Sequence, residues 1–87
     1  MVEIRYSKSA VKTIKSLDKP TKQRIKEGIE GLTSNPPKGD IKYLQGFTDG
    51  RQRLRIGKYR IIYKYSSENN IEILNIIDIG SRGDIYK

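Results

Sequence analysis

The hydrophobic period of this chain changes twice, from two residues to about 3.6 and back to two, and that change limits the folds open to it more than any other feature. Val2, Ile4 and Tyr6 alternate with Glu3, Arg5 and Ser7, as in a half-buried strand. From Ser9 the spacing becomes four and three: Ala10, Ile14 and Leu17 share one helical face, while Lys8, Lys12, Lys15 and Lys19 face water. Pro20 biases Lys19 away from helical geometry but suits the first turn of a new helix. A helical hairpin is therefore expected, its second arm running from Pro20 to Ser34 with Ile25, Ile29 and Leu32 as the apolar stripe. Residues 35–40, with two prolines and a glycine, form the loop that closes this helical third.

Period two then returns. The short stretch 41–44 is assigned no element, and Gly46-Phe47-Thr48-Asp49-Gly50 makes a turn. Arg51 to Ile56 alternates strictly, with Gln52, Leu54 and Ile56 on one face and Arg51, Arg53 and Arg55 on the other. Gly57-Lys58 makes a tight turn, Tyr59 to Tyr65 the next strand, Ser66 to Asn70 a polar turn, and Ile71 to Ile79 an apolar central strand ended by Gly80. Fourteen isoleucines against five leucines fit a chain rich in β-branched strands. The pattern β-α-α-β-β-β predicts an α+β fold in which a helical hairpin covers one face of a mostly antiparallel, twisted sheet. With 87 residues the chain has room for one domain, expected to span residues 1–87.

Composition narrows the chemistry. The chain has no cysteine and no histidine, which removes disulfides, thiol nucleophiles, the usual zinc ligand sets and histidine acid–base catalysis. No apolar run approaches the roughly 18 residues of a membrane span, and the amino terminus lacks the apolar core of a signal peptide, so a soluble cytoplasmic protein is expected, with no membrane partner and no cofactor. The net charge is +8. Between Lys42 and Lys64, seven basic residues (Lys42, Arg51, Arg53, Arg55, Lys58, Arg60, Lys64) face one acidic residue, Asp49. Period two sets Arg51, Arg53 and Arg55 side by side, and the short turn brings Arg60 beside them. Guanidinium forks bind phosphate bidentately and stay charged at any working pH, so this cluster predicts a nucleic-acid phosphate site. The plain alternative is a basic strand face that serves solubility, with Arg55 as an ordinary surface residue.

Six of the seven aromatic residues are tyrosines. Tyr59, Tyr63 and Tyr65 share a strand face and are expected to pack under the helices with Tyr6. Tyr86 lies in a polar tail, with little core left to join.

The series Tyr43-Leu44-Gln45-Gly46, Arg53-Leu54-Arg55-Ile56-Gly57-Lys58-Tyr59-Arg60-Ile61-Ile62-Tyr63 and Asp78-Ile79-Gly80-Ser81-Arg82-Gly83-Asp84-Ile85-Tyr86 resembles the RelE toxins of prokaryotic toxin–antitoxin systems, over nearly the whole chain. The resemblance implies a metal-independent mRNA endonuclease that works in the ribosomal A site, a ribose 2′-hydroxyl attacking the adjacent phosphate. It implies partners as well: ribosome, message and an acidic antitoxin. By position it assigns Arg51 and Arg53 to the basic pair of the second strand, Arg60 to phosphate binding, Arg82 to the arginine after the last strand and Tyr86 to the terminal tyrosine. Lys42, Arg55 and Lys58 join Arg51, Arg53 and Arg60 as expected RNA contacts. Well-studied members of that family carry lysines where this chain has Arg51 and Arg53, and arginine is the poorer proton acceptor, so the general base stays unassigned. Two rival readings share the fold or the charge: a ParE-like inhibitor of DNA gyrase, and a nucleic-acid-binding module without catalysis.

Overall fold

Ser7 both ends the first strand and starts the first helix. Its hydroxyl oxygen accepts from the Ala10 N–H at 3.0 Å, satisfying one of the N–H groups a helix start leaves without a partner, and its O–H donates to the Ile77 carbonyl at 2.6 Å. Asp18 caps the second helix in the same way, accepting from the Thr21 N–H at 3.2 Å. Hydrogen bonds from Thr21 hold the Asp18 carboxyl below the ordinary aspartate value.

The computed structural model describes residues 2–44, 46 and 50–81, in the order β1 (Val2–Tyr6), α1 (Lys8–Lys15), α2 (Lys19–Gly31), β2 (Asp40–Tyr43), β3 (Gln52–Ile56), β4 (Tyr59–Glu68) and β5 (Ile71–Ser81). The strands form one five-stranded sheet in the order β1-β5-β4-β3-β2. β1 runs parallel to β5, and the other three pairings are antiparallel. Both helices cover the same face, where Ala10, Ile25, Ile29 and Leu32 meet Leu54, Ile61, Tyr63, Leu74, Ile76 and Ile79 in the buried core. Each fully buried isoleucine or leucine there stabilises the fold by roughly 1.5–3 kcal/mol. Among the described residues no helix is long and apolar enough to cross a membrane.

The expected α+β architecture, with helices on one face of a mostly antiparallel sheet, is the one observed. Several details differ. Residues 41–43 of that stretch, with Asp40, form a fifth strand, β2, hydrogen-bonded along β3. The second helix stops at Gly31, whose carbonyl accepts from the Lys38 N–H at 3.0 Å as the chain turns back. β4 runs to Glu68, because Asn69 and Asn70, at φ of 53° and 66°, make the turn in two residues. Gly80 does not end β5: it pairs with Arg60, and Ser81 with Tyr59. A bulge opposite Ile62 and Tyr63 leaves Ile77 without a ladder partner, so Ile76 and Ile79 both reach the core, while the Asp78 carboxylate accepts from the Ser9 hydroxyl of α1 and from the Ile79 N–H, both at 2.9 Å.

Candidate nucleic-acid interface

Among the described residues no helix covers the other face of the sheet, and strand register decides what stands on it, including Ile62, which is only 5% exposed. Leu54 and Ile61 face the core opposite each other, so their chain neighbours face away from it. Two rows result. One crosses four strands as Asp40, Arg55, Arg60 and Gly80, and the next crosses three as Lys42, Arg53 and Ile62. Directly opposed side chains lie about 5 Å apart at Cβ, so Arg55 and Arg60 form a like-charged pair that is unfavourable on its own.

Asp40 meets this crowding. Its carboxylate lies 3.0 Å from the Arg55 Nε through Oδ2 and 3.6 Å from the Arg53 Nη1 through Oδ1. The same Nη1 donates to the Asp40 backbone carbonyl at 3.3 Å. The two arginines sit in different surroundings: the Arg53 side chain is 13% exposed and that of Arg55 55%. The Arg53 charge therefore acts through a lower effective dielectric and pulls harder on an anion brought to it. Gly39 sets this arrangement up. Its φ is +125°, and a Cβ there would lie 2.5 Å from Cδ1 of the buried Leu54, so glycine lets the chain enter β2 with Asp40 opposite Arg55.

The structure thus brings Lys42, Arg53, Arg55 and Arg60 together. Arg51 stands one residue before β3, half-buried, its carbonyl accepting from the Leu44 N–H at 3.1 Å. Lys58 sits apart at the tip of the β3–β4 turn, its ammonium 5.5 Å from the centre of the Tyr59 ring. Arg82 and Tyr86 lie outside the described residues. Two residues the sequence reading passed over take part. Asp40 is one. The other is Arg24, which reaches from α2 to the same turn: a Cβ on Gly57 would be 3.0 Å from its Nη2.

The tyrosines divide by burial. Tyr63 is fully buried, edge-on to Tyr65 at 5.7 Å between ring centres, and its hydroxyl donates to the Gln52 side-chain oxygen at 3.0 Å. Burial pushes its phenol far above the ordinary tyrosine value, so it keeps its proton at neutral pH. Tyr65 is half-buried and donates to the Leu32 carbonyl at 2.8 Å, and Tyr59 packs partly against the core. Tyr6 departs from the expectation that it packs under the helices. It is 41% exposed, at the end of β1, which among the described residues is an edge strand.

Tyr6 instead forms the end of a second surface feature. Between α1 and α2 runs an apolar groove of about 370 Å³ lined by Tyr6, Val11, Ile14, Ile25 and Ile29 and rimmed by Lys15, Lys22 and Lys26.

Three comparisons bear on this geometry. A family model described as the ParE toxin of the type II toxin–antitoxin system parDE matches residues 4–86. A candidate toxin named RelE1 from Methanocaldococcus jannaschii is 36% identical over 87 residues, covering 97% of this chain and 93% of the relative. The toxin of the archaeal RelE–RelB complex from Pyrococcus horikoshii is similar in structure, with a TM-score of 0.72 and 30% identity over 95% of this chain and 97% of the other. The isolated Escherichia coli RelE toxin shares the fold, with a TM-score of 0.73 at 17% identity, over 97% of this chain and 87% of that one.

Proposed function

Because this chain belongs to the RelE/ParE family of type II toxin–antitoxin toxins and is of the RelE type, we propose that it is a ribosome-dependent endoribonuclease that cuts messenger RNA in the A site and thereby stops translation. The observation that carries this reading is the pair of adjacent rows on the open face, which sets Lys42, Arg53, Arg55 and Arg60 within reach of one stretch of sugar–phosphate backbone. In the proposed reaction a ribose 2′-oxygen forms a bond to phosphorus as the bond to the 5′-oxygen breaks, leaving a cyclic phosphate and a new 5′-hydroxyl. Negative charge grows on the phosphoryl oxygens in between. Arg60 and Arg53 stabilise that charge, and a fixed donor of this kind contributes on the order of 3–4 kcal/mol. Arg51 and Arg55 hold neighbouring phosphates, Lys42 and Lys58 extend the contact, and Arg82 and Tyr86 take the charge-stabilising and stacking or proton-transfer roles that the resemblance implies. The reaction needs no metal or other cofactor and takes place in the cytoplasm, where ribosomes work.

The partner that silences such a toxin is an antitoxin, and the α1–α2 groove offers it a seat. Its floor is apolar and its rim is lysine, which matches an amphipathic helix with acidic flanks. Exposed anchors of this kind, Val11 and Tyr6, are what binding to an acidic protein requires.

The ParE name of the matching family model favours one second reading, inhibition of DNA gyrase. Both are tested by adding purified protein to a cell-free translation mixture and, separately, to a gyrase supercoiling assay. Arrest of protein synthesis with gyrase unaffected is the expected result. Inhibited supercoiling with undisturbed translation would replace the endonuclease by the gyrase inhibitor.

A further inference from the structure

We propose that Asp40 is a built-in stand-in for an RNA phosphate, holding the guanidinium groups of Arg53 and Arg55 in place in the free protein and giving way when RNA binds. The proposal rests on the open face being the RNA surface, and it adds a residue that neither the charge pattern nor the resemblance singles out.

Three observations support it. Asp40 touches both arginines at once, its two carboxylate oxygens divided between Arg53 Nη1 and Arg55 Nε. A phosphate bridging the same two guanidiniums would make the same kind of contact with its non-bridging oxygens. Second, the carboxylate is easy to displace. Its side chain is 50% exposed, and the pair it makes with the 55%-exposed Arg55 is of the solvent-screened type that contributes little. Third, Arg53 keeps its place through the exchange, because it is also held by the Asp40 backbone carbonyl at 3.3 Å, and that group does not leave with the side chain. Gly39 fixes the strand entry that makes all three contacts possible.

Like charges crowded on a bare sheet face would splay apart and have to be gathered again at each binding event. An internal carboxylate avoids that rearrangement, but it competes with the incoming phosphate. Its removal therefore tightens binding, the reverse of what loss of an ordinary supporting residue does.

The test uses the full chain and a short fluorescent single-stranded RNA, 2′-O-methylated throughout so that no 2′-hydroxyl attack can cut it. Affinity is measured by anisotropy across a salt series for wild type, Asp40→Asn and the double variant Arg53→Ala/Arg55→Ala. Asparagine keeps the size and the backbone carbonyl and removes only the charge. The proposal expects Asp40→Asn to bind roughly two- to fivefold more tightly at low salt, with a steeper salt dependence, while the double variant loses most affinity. If Asp40→Asn binds equally or more weakly while the double variant still loses affinity, the stand-in role is overturned and the RNA face stands. If the double variant binds like wild type, the RNA face itself falls and the stand-in with it.

Discussion

Two surfaces of this molecule are positive, and they are positive in different ways. The open sheet face is built on arginine: residues 39–64 hold four arginines and three lysines, while residues 1–38, which include both helices, hold seven lysines and two arginines. Around the groove, flexible ammonium groups rim an apolar floor; on the sheet, planar forks stand in register across neighbouring strands. A planar fork suits a phosphate, where two parallel hydrogen bonds fix orientation, and a lysine rim suits a partner whose main contact is apolar and whose acidic edges need only be attracted. Net charge alone describes both surfaces and tells them apart in neither case. Residue type and backbone period do.

The comparison breaks first at Arg60. Arg60→Ala is expected to lower RNA cleavage by about a hundredfold or more, since it removes a donor to developing charge. Antitoxin affinity, measured by calorimetry, should stay within about threefold, because the groove lies on the other side of the sheet. Next is Gly39→Ala, which puts a methyl group against buried Leu54 at a φ of +125°. It should cost roughly 1–3 kcal/mol in thermal unfolding, and RNA binding should weaken before antitoxin binding does, since β2 carries Asp40 and Lys42 and no part of the groove. Val11→Glu is the converse probe. A carboxylate placed over the apolar floor should weaken antitoxin binding about tenfold, or roughly 1.4 kcal/mol, with cleavage unchanged.

The smallest effect lies in the layer both surfaces share. Burial raises the Tyr63 phenol above its ordinary value of 10.0, and the unfolded chain has no such burial. Between the two values the unfolded state has lost its proton and the native state has kept it, so stability is full below about pH 10 and falls as pH rises further. Tyr6 and Tyr65 are raised as well, chiefly by burial, and add to the same decline. Tyr63→Phe should cost about 1 kcal/mol at neutral pH through the lost bond to Gln52 and should flatten the alkaline fall in urea-unfolding stability, affecting both surfaces alike.

The helical stripe of Ile25, Ile29 and Leu32 was readable in the sequence because α2 is long enough for its period to show, and all three are buried. Arg53 and Arg55 were placed on one face by strict alternation, and their pairing with Arg60 and Lys42 follows from turn length and register. β2 was not readable. Four residues, Asp-Ile-Lys-Tyr, with only Ile41 facing the core, are too few to show a period. Asp40 was missed for the same reason: as part of a loop it is a stray acid, and only as the opposite number of Arg55 does it become the counter-ion of the site. The parallel pairing of β1 with β5 joins residues such as Ile4 and Leu74, far apart in the chain, and no local pattern announces it. Tyr6 is exposed at the end of β1, where it forms the end of the groove.

The most direct measurement is a map of RNA 5′ ends after the purified chain is added to a translating system, with and without ribosomes, for wild type and Arg60→Ala. The account predicts new ends within A-site codons that require ribosomes and vanish in the variant. Ends that persist in Arg60→Ala, or no new ends at all, would contradict the assignment of the open arginine face to phosphate chemistry.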